Sequence, residues 1–312
     1  MRVDNFTLEQ FTCPAKYDLR INKGLVPLRR KPSLSFGTVI HAALAEWYRT
    51  GSHENALVMV AKRWPEVMPS DDFRTKDLAL KVIAAYIREW PKESWQLLKG
   101  TDDLPIVEQA FTLPTGFYLD CQNVATGCTS GSFIVDPALP VCPHCTLPRE
   151  PIEYGGIIDA AIEFAGTVYV LDHKTTTVLG KEDSTYYFLQ YKPDNQMTGY
   201  IWALSRLTNR KVGGAMINAI GLYKKDEPRF KRHLTARNEF EINEWLKGVV
   251  NRCNEIKRCE RTGEWRLQTS QCMSYGQCEY HSVHVLNDAT SRALRLEQDY
   301  VVSKWNYEDR DD

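Results

Sequence analysis

The sequence predicts an α/β protein with a helical N-terminal region, and two observations carry this prediction. Up to about residue 90, apolar residues recur at helical spacing. From Ile106 onward the apolar period changes towards two, which is typical of strands. The 312 residues, 43% hydrophobic and 25% charged, are enough for a sizeable core and exclude collagen-like, disordered and coiled-coil proteins.

The charge balance limits how the chain can bind a polyanion. Its 39 Lys and Arg residues against 40 Asp and Glu residues give a formal net charge of -1. The protein is therefore no bulk polycation, and nucleic-acid binding would have to come from local basic patches. Apolar runs stay short of the ~18 to 20 residues of a membrane span, and the start MRVDNFTLEQ lacks a signal peptide's hydrophobic stretch, so we expect a cytoplasmic protein with no membrane partner.

Three helices are predicted before residue 91. The first lies around TLEQFTCPAKYDL, the second runs from Phe36 to Tyr48, and a basic loop with Arg29, Arg30 and Lys31 joins them. The third runs between Phe73 and Trp90, where apolar residues recur at helical spacing and Pro91 follows.

The remaining predicted elements include both strands and helices. A helix is predicted around Gln196 to Leu204, and a last helix runs from Ile242 to about Glu260 with Cys253 on its apolar face. The predicted strands are IVEQAFTLP, FYLDC, IIDAAIEF, TVYVLDHKT and GAMINAIGLY.

An irregular, proline-rich stretch, residues 121–151, is predicted to be an inserted subdomain that binds zinc. VCPHC has the tight spacing of the thiolate turns in zinc knuckles and ribbons, whereas the first two cysteines are more widely spaced. Buried thiols or a disulfide pair are the alternatives. His144 is expected to point away from the site. The predicted ligands are Cys121, Cys128, Cys142 and Cys145.

One predicted hairpin brings charged side chains together. If Ala165 and Gly166 form a two-residue turn, Asp159 lies directly opposite Asp172 on the partner strand, and Lys174 shares their face. Facing carboxylates repel unless a cation or proton lies between them, so the pair indicates a metal site. A one-residue slip in register would break this geometry, and a solvated surface hairpin is the alternative interpretation.

Further motifs accompany the hairpin in a defined order. GTVIHAALAEWY places His41 on a helix, and QMTGY places Gln196 and Tyr200 four residues apart on one helix face. Taken together, these segments resemble the RecB-type branch of the PD-(D/E)XK nuclease superfamily, which includes phage exonucleases and the CRISPR-adaptation exonuclease family. The resemblance runs from about Phe6 to His284 and implies a restriction-endonuclease-like core with a mixed central sheet.

The resemblance also implies roles for these residues. His41, Asp159, Asp172 and the backbone carbonyl of His173 would hold Mg²⁺ or Mn²⁺, because hard divalent ions favour such ligands and activate water for phosphodiester hydrolysis. Lys174 would orient the attacking water and stabilise charge on the phosphate. Gln196 and Tyr200 would position Lys174 or the DNA backbone. Glu108 is expected near the same cleft but is not assigned as a ligand.

The first and last segments of the resemblance imply a second metal site, an iron–sulfur cluster. FTCPAKYDLR is similar to the family's first helix, and QCMSYGQCEYHSVH to its C-terminal cluster segment, which gives a predicted cluster-binding segment at 265–290. Cys13, Cys272 and Cys278 occupy positions of iron–sulfur ligands, and His284 stands where the family has its fourth cysteine. Cys259 is a possible substitute ligand.

The resulting prediction is a single nuclease domain over 1–312 that cleaves DNA with a divalent metal, as an exonuclease on single strands or duplex ends. Such an enzyme would work in the cytoplasm of a bacterium or a phage-infected host. The alternatives are a CRISPR-adaptation nuclease that trims spacers with protein partners, and a non-catalytic DNA-binding or scaffold module. The basic residues expected to meet phosphates are those of the loop at 29–31 and Lys224, Lys225, Arg229, Lys231 and Arg232.

Overall fold

The structure is a computed structural model that describes residues 1–28, 32–65, 73–121, 128, 136–180, 182, 184–274 and 276–308. The basic loop of Arg29, Arg30 and Lys31 lies outside the described residues, as does much of the first half of the predicted insertion. No helix in the described ranges has the length and apolarity needed to cross a membrane.

Helices predominate between residues 32 and 89 and strands between residues 96 and 176, as the sequence predicts. The strands are β1 Arg2–Asp4, β2 Leu25–Pro27, β3 Gln96–Leu97, β4 Val107–Tyr118, β5 Pro151–Phe164, β6 Thr167–Thr176, β7 Val212–Gly221, β8 Arg229–Thr235 and β9 Tyr300–Val302. The helices are α1 Asn5–Gln10, α2 Pro14–Tyr17, α3 Pro32–Thr50, α4 His53–Arg63, α5 Lys76–Glu89, α6 Thr185–Leu189, α7 Asn195–Thr208, α8 Glu239–Thr262, α9 His281–His284 and α10 Ala289–Asp299.

Several predicted boundaries were wrong for local reasons. The first predicted helix is broken between α1 and α2, because Pro14 has no N–H to continue a helix and instead starts a new one. The two early predicted strands form the single strand β4. The helix predicted to be the last, α8, is followed by α10.

Two compact units make up the described chain. The first contains residues 1–28, 112–156 and 243–312, and the second contains residues 29–111 and 157–242. The predicted single nuclease domain and its inserted subdomain stay predictions.

The second unit is built on a mixed sheet, which confirms the predicted fold class. The second part of β5 pairs antiparallel with β6, β6 pairs parallel with β7, and β7 pairs antiparallel with β8. Phe36, Ile40 and Leu44 of α3 form a buried cluster with Val82 and Ile83 of α5. The predicted helical N-terminal region therefore supplies much of this unit's apolar core.

The β5–β6 hairpin has the register that the sequence predicts. Ala165 has φ 49° and Gly166 has φ 75°, and positive φ at both central residues is the geometry of a two-residue type I′ turn. Phe164 therefore pairs with Thr167, and the ladder continues to Ala160 opposite Leu171. The next position along the two strands holds Asp159 and Asp172.

The first unit joins residues from both ends of the described chain. Val3 of β1 lies opposite Tyr154 in the first part of β5, and the Tyr154 ring meets Trp245 of α8 edge-on at 4.9 Å between centroids. The Tyr17 ring stacks on Trp265 at 5.9 Å. The N-terminal helices of this unit therefore pack against its C-terminal segment.

Paired glycine substitutions test how tightly β7 and β8 pack. A methyl group at Gly214 would overlap the carbonyl oxygen of Thr235 on β8, whereas one at Gly248 in α8 would meet no atom within 4 Å. Gly214→Ala is therefore expected to lower the free energy of unfolding by about 1 to 3 kcal/mol through overpacking. Gly248→Ala should raise it by up to about 1 kcal/mol through better helix propensity. Urea unfolding of both variants measures this, and a Gly214→Ala protein as stable as the parent would contradict the packing.

Candidate active site

Two carboxylates are buried side by side on the β5–β6 hairpin. Asp159 is 4% exposed and Asp172 is 2% exposed. The Oδ2 atom of Asp159 accepts a hydrogen bond from the backbone N–H of His173 at 2.9 Å. Because burying ionised carboxylates is costly unless partners compensate, the neighbouring groups decide what this pair can do.

Two side chains from two other elements converge around Asp159. The Nδ1 atom of His41, on α3, lies 3.3 Å from Asp159 Oδ2. His41, Glu108 and Asp159 each offer a ligand atom, and these three atoms lie within 4.8 Å of one another. One imidazole and two carboxylates in this arrangement have the spacing and chemistry of a divalent metal site.

Glu108 is the member of this group that sequence reasoning did not assign. It lies near the start of β4 but has φ 49°, a left-handed conformation that is uncommon outside glycine. A residue in this conformation departs from the regular alternation of strand side chains. Strand periodicity therefore carries no signal that would assign Glu108 to the site.

Lys174 lies between Asp172 and helix α7. Its Nζ atom is 2.8 Å from Asp172 Oδ2 and 2.8 Å from Gln196 Oε1. Gln196 in turn donates from Nε2 to the Tyr200 hydroxyl at 3.2 Å. The predicted Lys174, Gln196 and Tyr200 are thus joined in one hydrogen-bonded chain.

The electrostatics keep Lys174 charged. Burial by itself lowers the pKa of Lys174, but the Asp172 and Asp159 carboxylates outweigh it, and the pKa lies above its ordinary value. Burial raises the pKa of Asp172 to about 6, with Lys174 acting in the opposite direction. Burial also raises the pKa of the Tyr200 hydroxyl to about 12, so this group is neutral. At neutral pH the site therefore holds a lysine cation paired with an ionised Asp172.

His173 points away from Lys174, as strand alternation predicts. Its Nδ1 atom lies 2.7 Å from Asn218 Nδ2, and its ring stacks on Tyr48 at 5.6 Å between centroids. Burial lowers the pKa of His173 to about 3, so the imidazole is neutral. Since the Asn218 amide donates to Nδ1, we assign the ring proton to Nε2. The role implied for the His173 backbone carbonyl stays a prediction.

Arg232, one of the residues expected to contact phosphates, belongs to a partly buried network, and its contact with DNA stays a prediction. It pairs with both carboxylate oxygens of Glu93, at 2.6 and 2.8 Å, and donates to the Tyr86 hydroxyl at 2.8 Å. Tyr86 also accepts from Asn218 at 3.0 Å. Burial lowers the pKa of Arg232, but Glu93 outweighs it and the pKa lies above the ordinary value. The guanidinium also donates to the Asn218 side chain, which in turn bonds His173.

The other described residues that were predicted to contact DNA lie on or near β8. Arg229 donates to Asp226 at 2.9 Å and lies over the Tyr223 ring, and Lys231 donates to the Glu182 carbonyl at 3.1 Å. Their contact with DNA stays a prediction.

The four insertion cysteines come together as expected. Cys121 and Cys145 have their Sγ atoms 3.4 Å apart, and those of Cys128 and Cys142 are 3.3 Å apart. All four Sγ atoms lie within 4.8 Å of one another, and His144 is not a member of this group.

The residues predicted to hold an iron–sulfur cluster lie in the first unit. Cys13 Sγ accepts from the Gln268 N–H at 3.3 Å, and the Cys278 N–H donates to the Cys272 carbonyl at 2.8 Å. These thiols and His284 do not form a group within 4.8 Å in the part of the chain that the structure describes. A cluster of several iron atoms spaces its ligands more widely than a single ion does, and the cluster stays a prediction.

The chain matches the model of one protein family and is similar to a solved structure. No curated protein sequence matches the chain. The fold is similar to a crystal structure from Eubacterium rectale that is provisionally described as an exonuclease, with 11% identity, a TM-score of 0.48, and coverage of 92% of this chain and 90% of that one. The model of the PD-(D/E)XK nuclease superfamily matches residues 7–283. The resemblance drawn from the motifs is thereby confirmed, and the chain belongs to the PD-(D/E)XK nuclease superfamily.

Proposed function

We propose that this nuclease is a metal-dependent deoxyribonuclease that removes nucleotides from single-stranded DNA or duplex ends. The observation that carries the proposal is the convergence of His41, Glu108 and Asp159 beside a lysine that Asp172 and Gln196 hold in place. An acidic ligand group next to a fixed cation is suited to a substrate whose phosphate gains negative charge in the transition state.

The donor atoms suit the divalent metals that this superfamily uses. Carboxylate oxygens and one imidazole nitrogen favour Mg²⁺ or Mn²⁺ over soft metals. We assign the site to His41, Glu108, Asp159 and Asp172, together with the His173 carbonyl. An ion held there would supply charge neutralisation at the scissile phosphate and a lowered pKa for attacking water.

Lys174 is proposed to assist the same reaction. Lys174 has its Nζ fixed from two sides, by Asp172 at 2.8 Å and by Gln196 at 2.8 Å. A preorganised ammonium can hydrogen-bond the attacking water and the phosphate oxygen without reorganising during the reaction. Tyr200 fixes Gln196 and so acts on Lys174 only indirectly.

An exposed aromatic residue near this site supports a preference for single strands. Tyr186 on α6 is 89% exposed. The next residue, Tyr187, is buried, and burial raises the pKa of its hydroxyl while the charge of nearby Lys174 acts in the opposite direction. Unpaired bases stack on exposed aromatic rings, whereas bases inside a duplex are already stacked. Tyr186 is therefore proposed to stack on a base of the strand that enters the site.

We also propose an iron–sulfur cluster that fastens the N-terminal helices to the C-terminal segment. The Ala15 N–H donates to the Arg266 carbonyl at 3.1 Å, so these segments are already in contact near Cys13. The Nε2 atom of His284 is buried and has no hydrogen-bond partner among the described residues. An unsatisfied imidazole nitrogen supports a ligand role for His284 beside Cys13, Cys272 and Cys278.

Cleavage assays test the proposed function. Purified protein with Mn²⁺ or Mg²⁺ is expected to degrade end-labelled linear single-stranded DNA and to leave circular single-stranded DNA intact. Asp172→Asn and Lys174→Ala should each lower kcat by at least about 100-fold, because the first removes a charged metal ligand and the second removes the cation beside the reacting phosphate.

Matched controls separate chemistry from folding in this assay. Glu163→Gln, on β5 but exposed and paired with Arg210 at 2.8 Å, should cleave like the parent. Circular dichroism shows whether each variant is folded. Parent-like rates in folded Asp172→Asn and Lys174→Ala proteins, or chelator-insensitive cleavage, would reject the proposal and favour a scaffold role.

Metal titration tests Glu108 without any substrate. Electron paramagnetic resonance measures the affinity for Mn²⁺. Loss of a residue that only hydrogen-bonds a metal ligand lowers metal affinity by about 10- to 100-fold, and Glu108→Gln should lower it at least as much. Glu163→Gln again serves as the control. Unchanged Mn²⁺ affinity in Glu108→Gln would remove this residue from the ligand set.

Steady-state kinetics test the stacking residue. Tyr186→Ala should raise KM for single-stranded DNA by about 5- to 150-fold, which corresponds to the loss of one base–aromatic contact, while kcat changes little. Phe240→Ala is the matched control, because Phe240 is also exposed. Equal effects of the two substitutions would show that Tyr186 has no special contact with the strand.

A further inference from the structure

Four cysteines that take no part in the proposed hydrolysis meet at one point of the first unit. Cys121 follows the end of β4, and Cys145 comes shortly before the start of β5. The remaining two, Cys128 and Cys142, are buried. We propose that these four thiolates bind one structural zinc ion, which closes the base of the insertion between β4 and β5.

The distances between the sulfur atoms fit a tetrahedral ion. A zinc–sulfur bond of about 2.3 Å requires sulfur atoms about 3.8 Å apart along each edge of the tetrahedron. The measured Sγ–Sγ distances are 3.4 Å for Cys121 and Cys145 and 3.3 Å for Cys128 and Cys142, with all four atoms inside 4.8 Å. A disulfide would need sulfur atoms about 2.05 Å apart, and all nine cysteines are free.

The local backbone forms the tight turn that such a site uses. The Cys142 N–H donates to the Leu147 carbonyl at 2.9 Å, and the Thr146 N–H donates to the Cys142 carbonyl at 2.9 Å. Val141 and Pro148 form an isolated β-bridge below this turn. The backbone therefore folds back on itself so that Cys142 and Cys145 face the same point.

The described residues between 136 and 150 bury little apolar surface. Leu139, Val141 and Leu147 are 41%, 45% and 48% exposed, so these large apolar side chains contribute little to a core. Much of their order comes instead from buried Arg149, which donates to the carbonyls of Leu119 and Leu139 at 2.7 and 2.9 Å. Metal ligation supplies folding free energy directly where a hydrophobic core is too small.

The ligand set also determines the kind of metal and its role. Four soft thiolates favour zinc over Mg²⁺ or Mn²⁺, so this site and the carboxylate site select different ions. Because all four coordination positions come from the protein, no position remains for water or substrate, which is typical of structural zinc.

Metal analysis of the full chain tests the proposal. Protein purified with reductant and without chelator should contain one equivalent of zinc per chain. Replacement of zinc by Co²⁺ should give the intense absorption of a tetrahedral cobalt thiolate. Cys121→Ser and Cys142→Ser should each lose most of the zinc and become more sensitive to protease between residues 136 and 150.

A control substitution at Cys253 and the metal content of the parent protein complete this test. Cys253→Ala removes a buried thiol of α8 outside the group and should leave the zinc content unchanged. Parent protein without zinc, with iron in its place, or with Cys121–Cys145 and Cys128–Cys142 disulfides in the presence of reductant would overturn the proposal. None of these measurements depends on DNA cleavage, so the nuclease proposal is tested separately.

Discussion

The register of the β5–β6 hairpin is the constraint on which the candidate active site depends. Positive φ angles at Ala165 and Gly166 close the turn with two residues, and this places Asp159 and Asp172 at facing positions. A slip of one residue would turn every side chain of one strand to its other face. Asp159 would then lose its position beside Asp172 and Lys174.

Strand β6 is held from both of its faces. On one face Asp172 and Lys174 form a buried ion pair that Gln196 extends, and on the other His173 is bonded to Asn218. A half-satisfied polar network in a core is destabilising, whereas a complete one specifies a single arrangement. Arg232 extends this network through hydrogen bonds with Tyr86 and Glu93, whereas His173 Nε2 has no hydrogen-bond partner among the described residues.

The two proposed metal sites of this chain differ in the chemistry of their ligands. The carboxylates and imidazole around Asp159 belong to the second unit, and the thiolates around Cys142 belong to the first. Hard oxygen donors and soft sulfur donors favour different ions, so the two proposed sites can be loaded and tested one at a time. The proposed roles differ accordingly, because one ion would act on the phosphate and the other would stabilise a segment with a small core.

Local sequence rules were sufficient for much of the fold and site. Alternation in TVYVLDHKT assigned Asp172 and Lys174 to one face and His173 to the other, and the turn fixed the partner of Asp172. VCPHC indicated the thiolate turn because ligand spacing in zinc sites is a property of a short segment. Such features depend on neighbours a few residues away, and a sequence displays them directly.

Tertiary structure alone decided the features that depend on distant partners or on irregular backbone. The sequence placed Glu108 near the cleft without a ligand role, and the structure shows that it has a left-handed φ and groups with His41 and Asp159. Arg232 lies in a strand with several basic residues, and only the structure shows that both oxygens of the distant Glu93 accept hydrogen bonds from it. The sequence by itself therefore determined which residues share a strand face or a turn. Packing decided which long side chains from different elements meet. Such contacts depend on burial and on partners far away in the chain.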